Sequence, residues 1–156
     1  MGQQQLLLIV LGVIIVGIAI AVGITMFRSN SITSNRDQVI SDLNNLAAQA
    51  QQYYRKPTSM GGGSQSFVGF KPDSGMVNDA NGFYKAGGNG TSQPTISSLT
   101  LTKGDTTSVA AGDVSATDGG FYILGQGNTM GNNSTKPVGA CSYVTQNGTI
   151  TTTVIN

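Results

Sequence analysis

Few side chains in this chain could do chemistry. All seven acidic residues are aspartates, at positions 37, 42, 73, 79, 105, 113 and 118; glutamate and histidine are absent, and Cys141 is the single cysteine. Without histidine, the commonest general base and the commonest zinc ligand are both missing. A thiol nucleophile needs a basic partner of that kind, so Cys141 reads as a small, partly buried side chain. Unpaired within the chain, it could bridge only to another molecule. The densest group of oxygen ligands is the stretch KPDSGMVNDANG, which holds Asp73, Asn78, Asp79 and Asn81. Oxygen-rich loops can hold calcium. The twelve-residue calcium-loop spacing is absent, however, and Asp and Asn are ordinary turn formers. The turn reading is preferred, and no metal is expected. Gly61-Gly62-Gly63 is not followed by the GK[ST] of a phosphate loop. Tyr53, Tyr54 and Phe27 could suggest an aromatic path for charge, but packing explains them with fewer assumptions. With no catalytic constellation and no cofactor motif, an enzyme is not expected.

The bulk numbers narrow the classes further. The 156 residues carry a net charge of +1, and only 10% of them are charged, so nothing points to a nucleic-acid partner. Asn-x-Ser/Thr occurs at Asn89, Asn132, Asn133 and Asn147. Sugars on these asparagines, or on the many exposed Ser and Thr, are compatible with an exported domain.

The element that must organise the chain is its start. Residues 6–27 read LLLIVLGVIIVGIAIAVGITMF, with no charge before Arg28. As a helix this run spans about 33 Å, enough for a hydrocarbon core of about 30 Å. It exceeds the 7–15 residues of a secretion-signal core, and MGQQQ supplies no basic residue before it. The run is therefore expected to stay in the mature protein. Gly12, Gly17 and Gly23 do not have GxxxG spacing, but they leave flat places for another backbone.

Residues 29–35 are poor helix formers, yet Ile32 is in phase with the apolar positions beyond it, and the stretch is expected to continue the helix. Val39, Leu43, Leu46, Ala50 and Tyr53 then recur at spacings of 4, 3, 4 and 3, flanked by Ile40, Ala47 and Tyr54. That is one apolar stripe on a helix, opposite a face of Asp42, Asn44, Asn45, Gln49 and Gln52. Arg55 and Lys56 suit its end, Pro57 stops it, and the three glycines at 61–63 read as a flexible exit. Short β-like runs come next, at 66–70, 82–86, 95–102, 108–111, 120–125, 141–146 and 149–155, with Asn147-Gly148 as the strongest hairpin signal. The fold class is α+β: a long N-terminal helix over about 3–56 and a small antiparallel sheet of about five strands resting on the stripe. The divisions are an apolar half (1–28), an amphipathic half (29–57) and a β-rich surface domain (58–156).

The apolar run at 6–27, continued by the stripe from Val39 to Tyr53 and capped by a small β domain, resembles a type IV pilin. The resemblance rests on the first third of the chain; the β domain matches in layout alone. It implies a structural protein of the cell surface, held in the inner membrane as a precursor. It then polymerises, with the help of pilus assembly machinery, into an extracellular filament that serves in adhesion. Leu6, Leu7, Leu8, Ile9, Val10, Gly12, Ile14, Gly17, Ile20, Gly23 and Phe27 would pack helix against helix in its core. Val39, Leu43, Leu46, Ala50 and Tyr53 would hold the sheet. Where the family carries a glutamate near its amino terminus, this chain has Gln5, whose amide could hydrogen-bond a neighbour's terminus. A secretion-system pseudopilin and a single-pass membrane-anchored binding domain are the alternatives.

Overall fold

Nothing between residues 2 and 55 compels a helix to stop: the first proline is Pro57. In the computed structural model, which describes residues 2–87, 93, 101, 106–131 and 136–155, helix α1 runs unbroken over Gly2–Arg55. At 1.5 Å per residue it is about 80 Å long. The weak stretch at 29–35 is helical, as expected. Thr25 and Thr33 donate their hydroxyls to the carbonyls of Ala21 (2.9 Å) and Ser29 (3.1 Å), one turn back. This satisfies those side chains without competing for the helix's own N–H groups.

The end of α1 corrects one expectation. The glycine triplet is not a loose exit but a packed cap. The chain doubles back after a short 3₁₀ turn at Thr58–Met60, and Gly63, Ser64 and Gln65 donate their N–H groups to the carbonyls of Tyr53, Lys56 and Tyr54 at 2.8–3.0 Å. These are carbonyls that a helix end leaves without partners. A side chain at Gly62 would collide with the Lys56 carbonyl, and one at Gly63 with the Ser66 carbonyl and the Tyr53 ring. Glycine stands here because the backbones approach too closely for a Cβ.

After a four-residue helix α2 (Ser74–Val77), four strands form one antiparallel sheet in sequence order: β1 (Gly82–Ala86), β2 (Phe121–Met130), β3 (Pro137–Val144) and β4 (Ile150–Val154). The expected runs at 82–86, 120–125, 141–146 and 149–155 all lie in or against these strands. Asn147-Gly148 sits in the β3–β4 turn, closed by the Thr145 N–H to the Thr149 carbonyl at 3.0 Å. Two expected strands are not strands. Residues 66–70 form a turn that buries Phe67 and Phe70, and residues 108–111 lead into a 3₁₀ turn at Ala111–Asp113. They still meet: Gly69 donates to Val109, and Val109 to Phe70, at 2.8–2.9 Å. The run at 95–102 lies outside the described residues except Leu101. The sheet therefore has four strands among the described residues, against about five expected.

The core lies between α1 and one face of the sheet. Val39, Leu43, Leu46, Ala47 and Ala50 pack against Tyr84, Ala86, Phe121, Ile123, Ala140 and Val144. Near the C-terminal end of α1, the core is closed by rings. Tyr54–Phe67 (4.8 Å between centroids), Phe67–Phe121 (5.0 Å) and Phe70–Phe121 (6.0 Å) are tilted pairs, and Tyr53–Phe70 (5.6 Å) is edge-on. Leu43, fully buried at the centre of the stripe, gives a direct test: Leu43→Ala is expected to destabilise the domain by about 2–5 kcal/mol in chemical denaturation.

Candidate functional site: a helix with two faces to bury

The predicted residues of α1 fall into two sets that the fold treats in opposite ways. Every residue from 2 to 31 is exposed. Leu6, Leu7, Leu8, Ile9, Val10, Ile14, Ile20 and Phe27 touch nothing that buries them, and Phe27 is 78% exposed. Gln5 is exposed as well. At Gly12, Gly17 and Gly23 an added Cβ would meet nothing within 4 Å. Among the described residues, α1 is the one helix long and apolar enough to cross a membrane. In the second set, Val39, Leu43, Leu46 and Ala50 are buried in the core, while Tyr53 is half-buried at its margin. Ala47, placed by its spacing on the flank of the stripe, is fully buried, and Ile32 marks where burial begins.

The second half of α1 is seated by polar contacts as well as apolar ones. The face read as watery contributes several of them. Asp42 accepts a hydrogen bond from the Tyr84 hydroxyl at 2.8 Å and one from Asn81 Nδ2 at 3.4 Å. Asn44 Oδ1 accepts from Thr152 Oγ1 at 2.7 Å, and Gln49 Nε2 points to Met76 Sδ at 2.8 Å. Asn45 and Gln52 remain exposed. Outside that face, Gln51 Nε2 donates to the Thr145 carbonyl at 2.6 Å. Asn35 donates to the Asn81 carbonyl at 3.0 Å, and its Oδ1 accepts from the Thr129 N–H at 3.4 Å. Periodicity missed these because it ranks polar residues by solvent preference, and every one of these bonds has its partner far along the chain.

One signal was present in the sequence. Gly125 and Gly127 interrupt the interior of β2, and glycine there often marks close approach of another element. A Cβ at Gly125 would lie 3.0 Å from Val39 Cγ1, and one at Gly127 would collide with Asn35 Oδ1. The two glycines are the flat ground on which α1 lies.

The residues singled out for chemistry are placed as structural groups. Asp79 accepts from the Ala80 N–H and from Asn81 Nδ2, both at 2.7 Å, within the turn that leads into β1. Asp73 precedes α2 with no side-chain cap bond. No group of three or more His, Cys, Asp or Glu side chains able to hold a metal occurs among the described residues. Cys141 is buried, and burial pushes its thiol up, away from the nucleophilic thiolate. On the sheet face away from α1, Tyr122 and Tyr143 stack with ring centroids 4.6 Å apart. The Tyr143 hydroxyl reaches both Asp118 carboxylate oxygens at 2.7 and 2.8 Å, and that bond holds the exposed Asp118 carboxyl below its ordinary value.

Comparison of the chain with protein-family models, with curated proteins and with solved structures finds no match.

The Asp42–Tyr84 bond gives a test of how α1 is seated. Burial, then the hydrogen bond to Asp42, then the charges of Asp42 and Asp79 raise the Tyr84 hydroxyl far above its ordinary 10.0. The folded state thus favours the protonated phenol. Its contribution is full below pH 10 and is lost as the pH rises beyond it, because the unfolded chain ionises there first. Tyr84→Phe is expected to cost about 1.5–3 kcal/mol at neutral pH, the range for hydrogen bonds to charged groups. It should also flatten the alkaline limb of stability measured by denaturant titration between pH 8 and 11. An unchanged alkaline limb would show that another group sets it.

Proposed function

We propose that this chain is the structural subunit of an extracellular, type IV pilus-like filament that polymerises through residues 6–27 of α1. The observation that carries the reading is the division of one continuous helix. Its second half is seated on the sheet, while its first half buries nothing within its own chain. An apolar surface of that extent needs a second environment. Lipid supplies one for the precursor. Other copies of the same helix supply one for the product, with the sheet held outward in water.

The scale is adequate. Removing ~1,000 Å² of apolar surface per subunit from water is worth about 25 kcal/mol gross. Association and ordering consume about 4–15 kcal/mol or more of it. A contact that repeats head to tail without closing generates a helical fibre. Gly12, Gly17 and Gly23 offer places where neighbouring backbones come close. Gln5 would meet a neighbour's polar terminus as an amide, which is cheaper to desolvate than a carboxylate. In this reading the partners are other copies, the inner membrane and an assembly machinery, and the chain has no catalytic task.

The same helix supports a second reading, a domain anchored permanently by one membrane span. One substitution separates the two. Ile14→Asp is expected to abolish fibres in negative-stain images of material sheared from producing cells. The sheet domain should keep its circular dichroism and melting, because Ile14 contacts none of it. Gly17→Leu should act in the same direction by filling a flat place. Normal fibres from the Ile14→Asp chain would overturn the packed-core account. A wild-type protein that stays monomeric in membranes, with no fibre outside cells, would favour the anchor.

A further inference from the structure

The two edges of the sheet differ in kind. β1 carries Lys85, and its Gly82 exchanges backbone hydrogen bonds with Asp79 at 3.1 and 3.3 Å. Exposed edges are usually guarded in such ways, by a charge or by a covering turn. Among the described residues β4 has no such guard: residues 149–155 read TITTTVI, all β-branched, with no charge and no proline.

The register shows which groups reach the open side. The Thr145 N–H donates to the Thr149 carbonyl at 3.0 Å, and the Ile155 N–H to the Gly139 carbonyl at 2.8 Å. Between these two pairs the antiparallel ladder alternates. Thr151 and Thr153 therefore turn their backbone groups towards β3, opposite Tyr143 and Cys141. Ile150, Thr152 and Val154 turn theirs outward. Among the described residues nothing bonds those outward groups, since β4 has β3 as its one neighbour. The side chains of Ile150 and Val154 remain 37% and 38% exposed beside them.

We propose that this edge takes β4 of a second copy, antiparallel, about a twofold axis at Thr152. The strand is its own complement. Ile150 and Val154 stand two places either side of Thr152, so each would oppose the other type in the second copy, and Thr152 would oppose Thr152. Every outward N–H and C=O would then be satisfied, and the two sheets would become one. A strand with no charge offers nothing to select a charged peptide, whereas the symmetry of its apolar positions selects itself.

The pairing has a defined polarity. Asn35 of α1 lies by Thr129 and Asn81, Asn44 by Thr152, and Gln51 by Thr145. α1 therefore runs antiparallel to β4. A twofold axis through the seam sets the two helices in opposite directions, with their apolar halves pointing apart. Such a pair joins copies from two filaments or two facing membranes, never neighbours within one polar fibre. The inference is thus independent of how residues 6–27 are buried.

The test uses the full chain in detergent, with Ile14→Asp present to suppress association through α1. In a hydrogen-bonded antiparallel pair the Cα atoms lie about 5.5 Å apart, within disulfide reach. Under mild oxidation Thr152→Cys is expected to give a covalent dimer and Thr151→Cys is not, because residue 151 would face residue 153 of the second copy. Adding Val154→Lys should cut the Thr152→Cys dimer at least tenfold. In sedimentation, Val154→Lys alone should turn dimer into monomer, a readout that leaves the Thr152 bond to Asn44 untouched. Equal cross-linking at 151 and 152, or a monomeric parent chain with intact circular dichroism, would overturn the proposal.

Discussion

The rest of the structure depends on the contact between residues 39–50 of α1 and the glycine-flattened face of the sheet. Val39 lies against Gly125, where a Cβ would crowd it, and Asn35 against Gly127, where a Cβ would collide with its side chain. Because α1 is unbroken from Gly2 to Arg55, this contact also fixes the direction of the apolar half relative to the sheet. Whatever surface buries residues 6–27 thereby places the sheet as well. A proline or a loop in the middle of the helix would uncouple the two; this chain has neither before Pro57.

Apolar burial alone would not set the register of the helix along the sheet. The hydrophobic effect is non-directional, so apolar contacts fix the exact alignment less sharply than polar ones. The polar contacts remove that freedom. Asp42 with Tyr84, Asn35 with Asn81, Asn44 with Thr152 and Gln51 with Thr145 touch strands or their connecting turns from β1 to β4. A slip of one turn would leave part-buried polar groups without partners, at about 1–3 kcal/mol each. The small apolar core and these bonds divide the work: the first holds the layers together and the second aligns them.

How much of this was legible in the sequence depends on which forces leave local patterns. The long helix was legible because one uninterrupted apolar run and one stripe with a helical period can hardly be read otherwise. Val39, Leu43, Leu46 and Ala50 were found for that reason, and the β3–β4 turn because Asn-Gly is a strong turn former. The runs at 66–70 and 108–111 misled because Phe67, Phe70 and Val109 are buried as single side chains of irregular segments, not as members of a ladder. Aromatic and β-branched content cannot distinguish those cases. The glycines at 61–63 were misread because a left-handed turn, as at Gly61, and close backbone approach, as at Gly62 and Gly63, call for glycine just as flexibility does. Asp42, Asn44 and Gln49 were assigned to water because their partners lie 27 to 108 residues away.

The central claim is that residues 6–27 are finally buried by other copies of themselves rather than by lipid. The most direct measurement places a photoreactive amino acid at Ile14 of the otherwise native chain and illuminates the mature protein in intact cells. The account predicts cross-links from position 14 into the apolar half of another copy, forming a ladder of oligomers. Cross-links to lipid alone, with the chain remaining monomeric, would contradict it.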